Sequence, residues 1–229
     1  VYLAGRRLAG FGVADSAALA AHYGSVSAVT FIAAASYLDA AGIRYEAYAT
    51  ALMAVMEVPG VVMALLIARL AQGRGLPLAP TVARMLASKS VVLLAGGLAI
   101  GAIVGQAGMA PVKPFFSDLF RGVLCLFLLD LGLKTAARAG IVRRAAPALL
   151  LIGIAAPLAN AALGLAVAGL LGLPVGGATI LATLAASASY IVAPAAVRGA
   201  LPEADPALAL TASLAVTFPF NLLVGLPLY

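Results

Sequence analysis

Tryptophan is absent from this 229-residue chain, and histidine and cysteine occur once each, as His22 and Cys125. Charge is scarce too. Asp, Glu, Lys and Arg make up 10% of residues, where soluble domains carry about a quarter. These shortages exclude several classes. A single thiol, placed within an apolar run, forms no internal disulfide and says nothing about compartment. Without tryptophan, any aromatic belt at a membrane surface rests on tyrosine and phenylalanine. No signal-peptide pattern opens the chain, and there is no initiating Met. Val1 to Gly12 is too short to span a bilayer and reads as the tail of an earlier helix, so the expectation is a chain that starts in mid-protein.

What is present is apolar. Hydrophobic residues make up 64% of the chain, and the mean hydropathy is +1.13. Several stretches are long enough to cross a ~30 Å hydrocarbon core as helices. Barrel strands would alternate, and these runs do not. An all-α polytopic membrane protein follows, because in lipid only helices or closed barrels satisfy their own backbone polar groups. The spans read as 13–40, 46–71, 90–108, 113–137, 145–171, 175–200 and 206–229. Between them lie breaks rich in Gly, Pro and charge, as at "QGRGLPLAP" and "GLPVGG". The loop from Gln72 to Lys89 is the longest polar connection and the expected docking surface for a soluble partner.

A net charge of +6 and a pI near 9.8 would suit nucleic acid, but excess Lys and Arg in a membrane protein marks its cytoplasmic loops. Eleven of the fourteen basic residues fall after alternate spans: Arg6, Arg7, Arg69, Arg74, Arg84, Lys89, Lys134, Arg138, Arg143, Arg144 and Arg198. Only Arg44, Lys113 and Arg121 lie elsewhere. The larger group is expected in the cytoplasm, with the C-terminal Tyr229 outside.

Shifted by 162 residues, "GSVSAVTFIAAA" falls on "ASASYIVAPAAV", so that Ser25 meets Ser187 and Ser27 meets Ser189. Further on, after a two-residue difference in loop length, "MEVPG" falls on "TFPFN", with Pro59 on Pro219 and Glu57 on Thr217. Alanine-rich sequence matches itself easily. The order carries more weight: a small polar cluster in mid-helix, then a proline in mid-helix, twice. Five helices separate the copies, so they cross the membrane in opposite senses, the inverted-repeat pattern of secondary transporters. Five-helix repeats imply about ten helices, seven of them present here.

A helix interrupted at Gly24–Ser27, and another at Ser187–Ser189, would each restart near the midplane with unpaired N–H groups. Inversion turns the two new N-termini toward one point, where an anion is favoured by roughly 0.3–2 kcal/mol per end. The alternative is that these serines back-bond to carbonyls or let helices pack closely. Intramembrane acids are the second signal, since a central carboxylate costs about 3 kcal/mol on insertion. Asp15, Glu57 and Asp130 lie in or near spans. Asp118 and Arg121 form an i,i+3 pair which, like Asp130, reads as structural. Glu57 precedes mid-helix Pro59, whose missing N–H frees a carbonyl. With Asp15, Thr217 and Asn221 it would give the hard-oxygen shell a sodium ion accepts. A protonated Glu57 bonded to a neighbouring helix is the competing reading. His22 lies one turn before Ser25, but no nucleophile elbow surrounds that serine, so an intramembrane hydrolase is set aside and His22 is read as lining or capping the cavity. Importing a monovalent anion into a negative cytoplasm is opposed by ~2.3 kcal/mol per 100 mV, which calls for a co-transported cation.

At "AAHYGSVSAVTF", "FFSDLFRGVLCLFLLDLGL", "LAASASYIVAPAAVRGALPEADP" and "ASLAVTFPFNLLVGLPLY" the chain resembles the SbtA family of sodium-dependent bicarbonate transporters, from about Asp15 to Tyr229. The resemblance implies a ten-helix, bile-acid-symporter-like fold divided into core and gate. Here residues 1–72 and 142–229 would form the core, 73–89 a cytoplasmic loop, and 90–138 part of the gate. It further implies a homotrimer in the inner membrane, bicarbonate uptake for a carbon-concentrating mechanism, and inhibition by a PII-like partner, SbtB. Carried onto this sequence, Gly24, Ser25, Ser27, Ser187, Ser189 and Tyr190 surround the bicarbonate, and Asp15, Glu57, Thr217 and Asn221 hold sodium. No cofactor is expected beyond co-transported sodium, and no enzymatic activity. A sodium symporter for another small anion, and a non-transporting receptor that recruits a soluble regulator, are the alternatives.

Overall fold

Where hydropathy alone reads one continuous span from Val13 to Ala40, the chain forms two helices, α2 (Val13–Tyr23) and α3 (Ala28–Ala40). A computed structural model describes residues 1–73, 75, 78–87, 89–137 and 147–229. α1 (Tyr2–Arg7) precedes this pair, and α4 (Ala49–Glu57) and α5 (Pro59–Ala71) follow it. The α4–α5 interruption falls at Val58, where Pro59 opens α5 in the first-turn position that tolerates a missing N–H. Next come α6 (Leu78–Leu86), α7 (Lys89–Met109), α8 (Leu119–Ala137), α9 (Pro147–Leu170), α10 (Val175–Ala186), α11 (Val192–Ala200) and α12 (Pro206–Leu228). α12 is wound in wide π turns over Thr211–Thr217 and Asn221–Gly225, on either side of Pro219. No strand occurs among the described residues.

Four helical stretches among the described residues are long and apolar enough to cross a membrane: Val13–Ala40, Ala49–Ala71, Pro147–Leu170 and Pro206–Leu228. A fifth counts if Ala79–Leu86 and Val91–Gly105, bent by 56°, are taken together. Seven were expected, and two reasons account for most of the difference. The expected span 175–200 is divided by a five-residue break into halves that are each too short. The expected span 113–137 carries Arg121, Asp130 and Lys134 within its helix Leu119–Ala137, more charge than any of the four spans above holds. The polar loop after Gln72 is also not all loop. It holds α6, with Pro80 tolerated in its first turn. Inside α7, Gly105 adopts φ +62°, a left-handed conformation that costs glycine little, and bends the helix there. Arg74, Arg138, Arg143 and Arg144, part of the orientation argument, lie outside the described residues.

The core is built from small residues. α2 packs on α5, α3 on α10, and α9 on both α10 and α12. Ala17, Ala21, Ala64, Ala68, Ala182 and Ala186 are buried at these seams, where small side chains let backbones approach closely. Leu19, Leu65 and Ile180 are buried with them, but many other large apolar side chains point outward. Leu170 is 88% exposed, Ile103 84% and Leu223 77%. That arrangement suits a lipid surround and would be a liability in water.

Candidate functional site

Both helix breaks are made by the same local device. The chain is extended at Ser27, whose Oγ accepts from the Thr30 N–H at 3.2 Å and starts α3. It is extended again at Ser187, and two residues on Ser189 Oγ accepts from the N–H groups of Val192 and Ala193, each at 3.2 Å, starting α11. In each break the second serine accepts from the first N–H groups of the helix that follows, Ser27 as the N-cap of α3 and Ser189 from two residues before the N-cap Ile191 of α11.

The breaks cross one another. The Ser27 N–H donates to Ser187 Oγ at 2.9 Å, and that hydroxyl donates to the Leu184 carbonyl at 2.8 Å. On the other side the Ser189 N–H donates directly to the His22 carbonyl at 2.7 Å. Under the 162-residue shift, Ser27 corresponds to Ser189 and Leu184 to His22. The two links are therefore one bond made twice, direct in one case and relayed by a hydroxyl in the other. Ser27 Oγ also donates to the Tyr190 hydroxyl at 3.1 Å, while the Tyr190 ring stands edge-on to Phe218 at 5.6 Å. All six residues expected around the anion, Gly24, Ser25, Ser27, Ser187, Ser189 and Tyr190, lie in these two breaks. Gly24, Ala28 and Ile191 are exposed there, whereas the four serines are buried.

Three of the four expected sodium ligands are tied to the same crossing. Ser25 Oγ donates to the backbone carbonyl of Glu57 at 2.8 Å. Thr217 Oγ1 donates to the Gly153 carbonyl at 2.6 Å. Pro157, four residues after Gly153, has no N–H to claim that carbonyl, so α9 leaves an acceptor open in mid-membrane. With its own hydrogen spent on Gly153, Thr217 accepts from the Tyr23 hydroxyl at 2.6 Å. Asn221 Nδ2 donates to the Ala186 carbonyl at 3.0 Å, where α10 ends, and its Oδ1 accepts from Tyr229 at 3.0 Å. Thr217 Oγ1 and Asn221 Oδ1 each keep a lone pair. Asp15 is not brought to them. Its carboxylate accepts from the Asp205 N–H at 2.7 Å in an exposed position. It stands nine residues before Gly24 on the chain, about 13 Å along a helix. Asp130 is exposed on α8.

Tyr23, Gly60 and Gly153 were missed in the sequence. Tyr23 stands beside the conspicuous glycine and serines but looks like an ordinary aromatic. Gly60 lies where α5 meets the first break: a Cβ on Gly24 would come within 3.0 Å of the Gly60 carbonyl. Gly153 could have been found from Pro157, by asking which carbonyl that proline frees. The hydroxyl relay is expected to matter for stability. Tyr23→Phe removes its donor and is expected to cost about 1 kcal/mol, read as a lower thermal midpoint of the detergent-solubilised protein. An unchanged midpoint would mean that the relay contributes nothing.

No curated protein matches the chain. A family model does, described as the Na+-dependent bicarbonate transporter superfamily, and it covers residues 1–229. Apolar spans, outward-facing leucines and two crossed, serine-capped helix breaks are thus the features of a multi-pass membrane protein that belongs to the Na+-dependent bicarbonate transporter superfamily.

Proposed function

We propose that this chain moves bicarbonate into the cell together with sodium, as a symporter of the inner membrane working by alternating access. The observation that carries the reading is the crossing of two serine-capped breaks, each restarting a helix at the same point. The starts of α3 and α11 place two positive dipole ends near one another, which favours an anion between them. Tyr190 accepts from Ser27 and so has its own O–H to give. The paired caps, and the link made once directly and once through a hydroxyl, support inverted five-helix repeats. Glu57, Thr217 and Asn221 supply sodium with a carboxylate and neutral oxygens around the same crossing. The position of Asp15 beside Asp205 speaks for a structural role.

The remaining expectations belong to the same reading. The core comprises 1–72 and 142–229, and the gate comprises 90–138, with α7 resting on α4. Arg84 and Lys89 are exposed around α6, on the face expected in the cytoplasm, where an SbtB-type regulator of a homotrimer would dock. Uptake of labelled bicarbonate by the full-length transporter is expected to require sodium and to be competed by unlabelled bicarbonate but not by acetate. Sodium-independent uptake would overturn the coupling, and equal competition by acetate would favour a broader anion symporter.

A further inference from the structure

A cavity of about 330 Å³ lies between the corner of α6 and α7 and one face of α11. α6 and α7 contribute Thr81, Arg84 and Lys89 to its wall, and no acidic side chain lines it. Its α11 side is apolar throughout, with Ile191 and Ala195 exposed one turn apart. Arg84 gives its Nε–H to the Pro80 carbonyl at 3.2 Å. Its remaining N–H groups and the Lys89 ammonium make no ion pair among the described residues. Thr81 is 6% exposed, and its hydroxyl makes no hydrogen bond among them. Two free cations and a hydroxyl donor beside an apolar face call for a ligand that is anionic at one end and apolar along the rest.

The surroundings select the source of that ligand. Lys89 stands in the 56° bend between Ala79–Leu86 and Val91–Gly105, and Leu86, Val92 and Leu93 on either side of it are exposed. A basic side chain at the border of a lipid-facing apolar run lays its stem against hydrocarbon and holds its charge at headgroup depth. A soluble oxyanion would find the charges but leave the apolar side of the cavity in water. We propose that this cavity holds an anionic glycerophospholipid, its phosphate between Arg84 and Lys89 within reach of the Thr81 hydroxyl, and an acyl chain laid along Ile191 and Ala195. Basic pockets between membrane helices on the cytoplasmic side take lipid headgroups by the same chemistry. The bound lipid ties the α6–α7 corner to α11, the half-helix that Ser189 starts. The site does not depend on which anion is transported.

The test uses the full-length transporter in phosphatidylcholine vesicles with a trace of spin-labelled phosphatidylglycerol or spin-labelled phosphatidylcholine. Electron paramagnetic resonance reads the motionally restricted fraction of each. The phosphatidylglycerol label is expected to be restricted in preference, and to be displaced by unlabelled phosphatidylglycerol but not by inorganic phosphate. Arg84→Gln or Lys89→Gln alone is expected to lower its relative association constant about fivefold, the surface attraction of one basic side chain, and the two together to abolish the preference. Ala195→Leu keeps both cations but fills the apolar side, and is expected to abolish it as well. All three positions are exposed, so these variants fold. Arg198→Gln, on α11 but lining a different cavity, is expected to leave the preference unchanged. Equal restriction of the two lipids overturns the proposal and leaves the cations to a soluble partner. A preference that survives Ala195→Leu is surface attraction without a pocket, and displacement by inorganic phosphate makes the site one for a free oxyanion; either result overturns the lipid. None of these measurements needs uptake, so their failure leaves the proposed function standing.

Discussion

Replacing Glu57 with glutamine is expected to abolish sodium-dependent bicarbonate uptake while leaving the protein folded and in the membrane. The two effects separate because Ser25 holds the Glu57 backbone carbonyl, which the substitution retains, rather than the carboxylate. The residue is 7% exposed and sits where α4 gives way to α5. A carboxylate about 4 Å from a monovalent cation contributes about 4 kcal/mol at an effective dielectric of ~20. Losing even most of that lowers sodium affinity roughly 100- to 1000-fold. Neutralising the acid also relieves an insertion cost of about 3 kcal/mol, so the thermal midpoint is expected to hold or rise. A sodium titration of uptake checks the first expectation and a melting curve the second. Uptake by Glu57→Gln with unchanged sodium dependence would remove Glu57 from the ion shell.

Gly60→Ala is the second substitution of large effect, and it acts through packing. A Cβ at Gly60 would overlap the Gly24 carbonyl, a backbone group that no rotamer change can move aside. α5 would have to shift away from the first break. Overpacking of this kind costs about 1–3 kcal/mol, and here the strain falls on the segment that positions Ser25 and Ser27. Uptake is expected to be lost and the midpoint lowered. Gly24→Ala is expected to be milder, because its Cβ meets the Ala20 carbonyl oxygen at 2.9 Å and the Gly60 carbonyl at 3.0 Å, a much shallower overlap than the one at Gly60. A Cβ at Gly199 meets nothing within 4 Å among the described residues, so Gly199→Ala is the neutral comparison. If Gly24→Ala proved more damaging than Gly60→Ala, the close approach of these two segments would be misplaced.

Much of the site was legible in the sequence because its chemistry conflicts with its surroundings. Four serines and a glycine in two otherwise apolar helices stand out, and the structure uses Ser27 and Ser189 as matching caps. Thr217 and Asn221 were singled out by their position around Pro219. Their actual partners were not, because a freed carbonyl on another helix, Gly153, leaves no mark in the sequence around Thr217. Asp15 was grouped with Glu57 by chemical type alone, without counting the turns of helix between it and the break. The interruption of the span 175–200 was itself legible from Ser187 and Ser189, and only its two-residue extension to Ile191 was not. Hydropathy averages across the break at Ser187–Ile191, whereas the backbone is extended at Ser187, stays non-helical through Ile191 and divides the segment. The helix at Leu78–Leu86 was hidden by the proline and glycines beside it, which read as a loop.

The two unequal links between the breaks have an energetic consequence. In the inverted-repeat reading proposed above, exchanging two identical halves would turn an inward-facing arrangement into an outward-facing one of equal free energy. The direct bond from Ser189 to His22, against the bond from Ser27 relayed to Leu184 through the Ser187 hydroxyl, lifts that degeneracy. One end of the pivot is fixed backbone, and the other contains an O–H that can rotate to a new acceptor. On the alternating-access reading proposed above, an empty carrier built this way would have a preferred resting side, to which the Ser187 hydroxyl contributes.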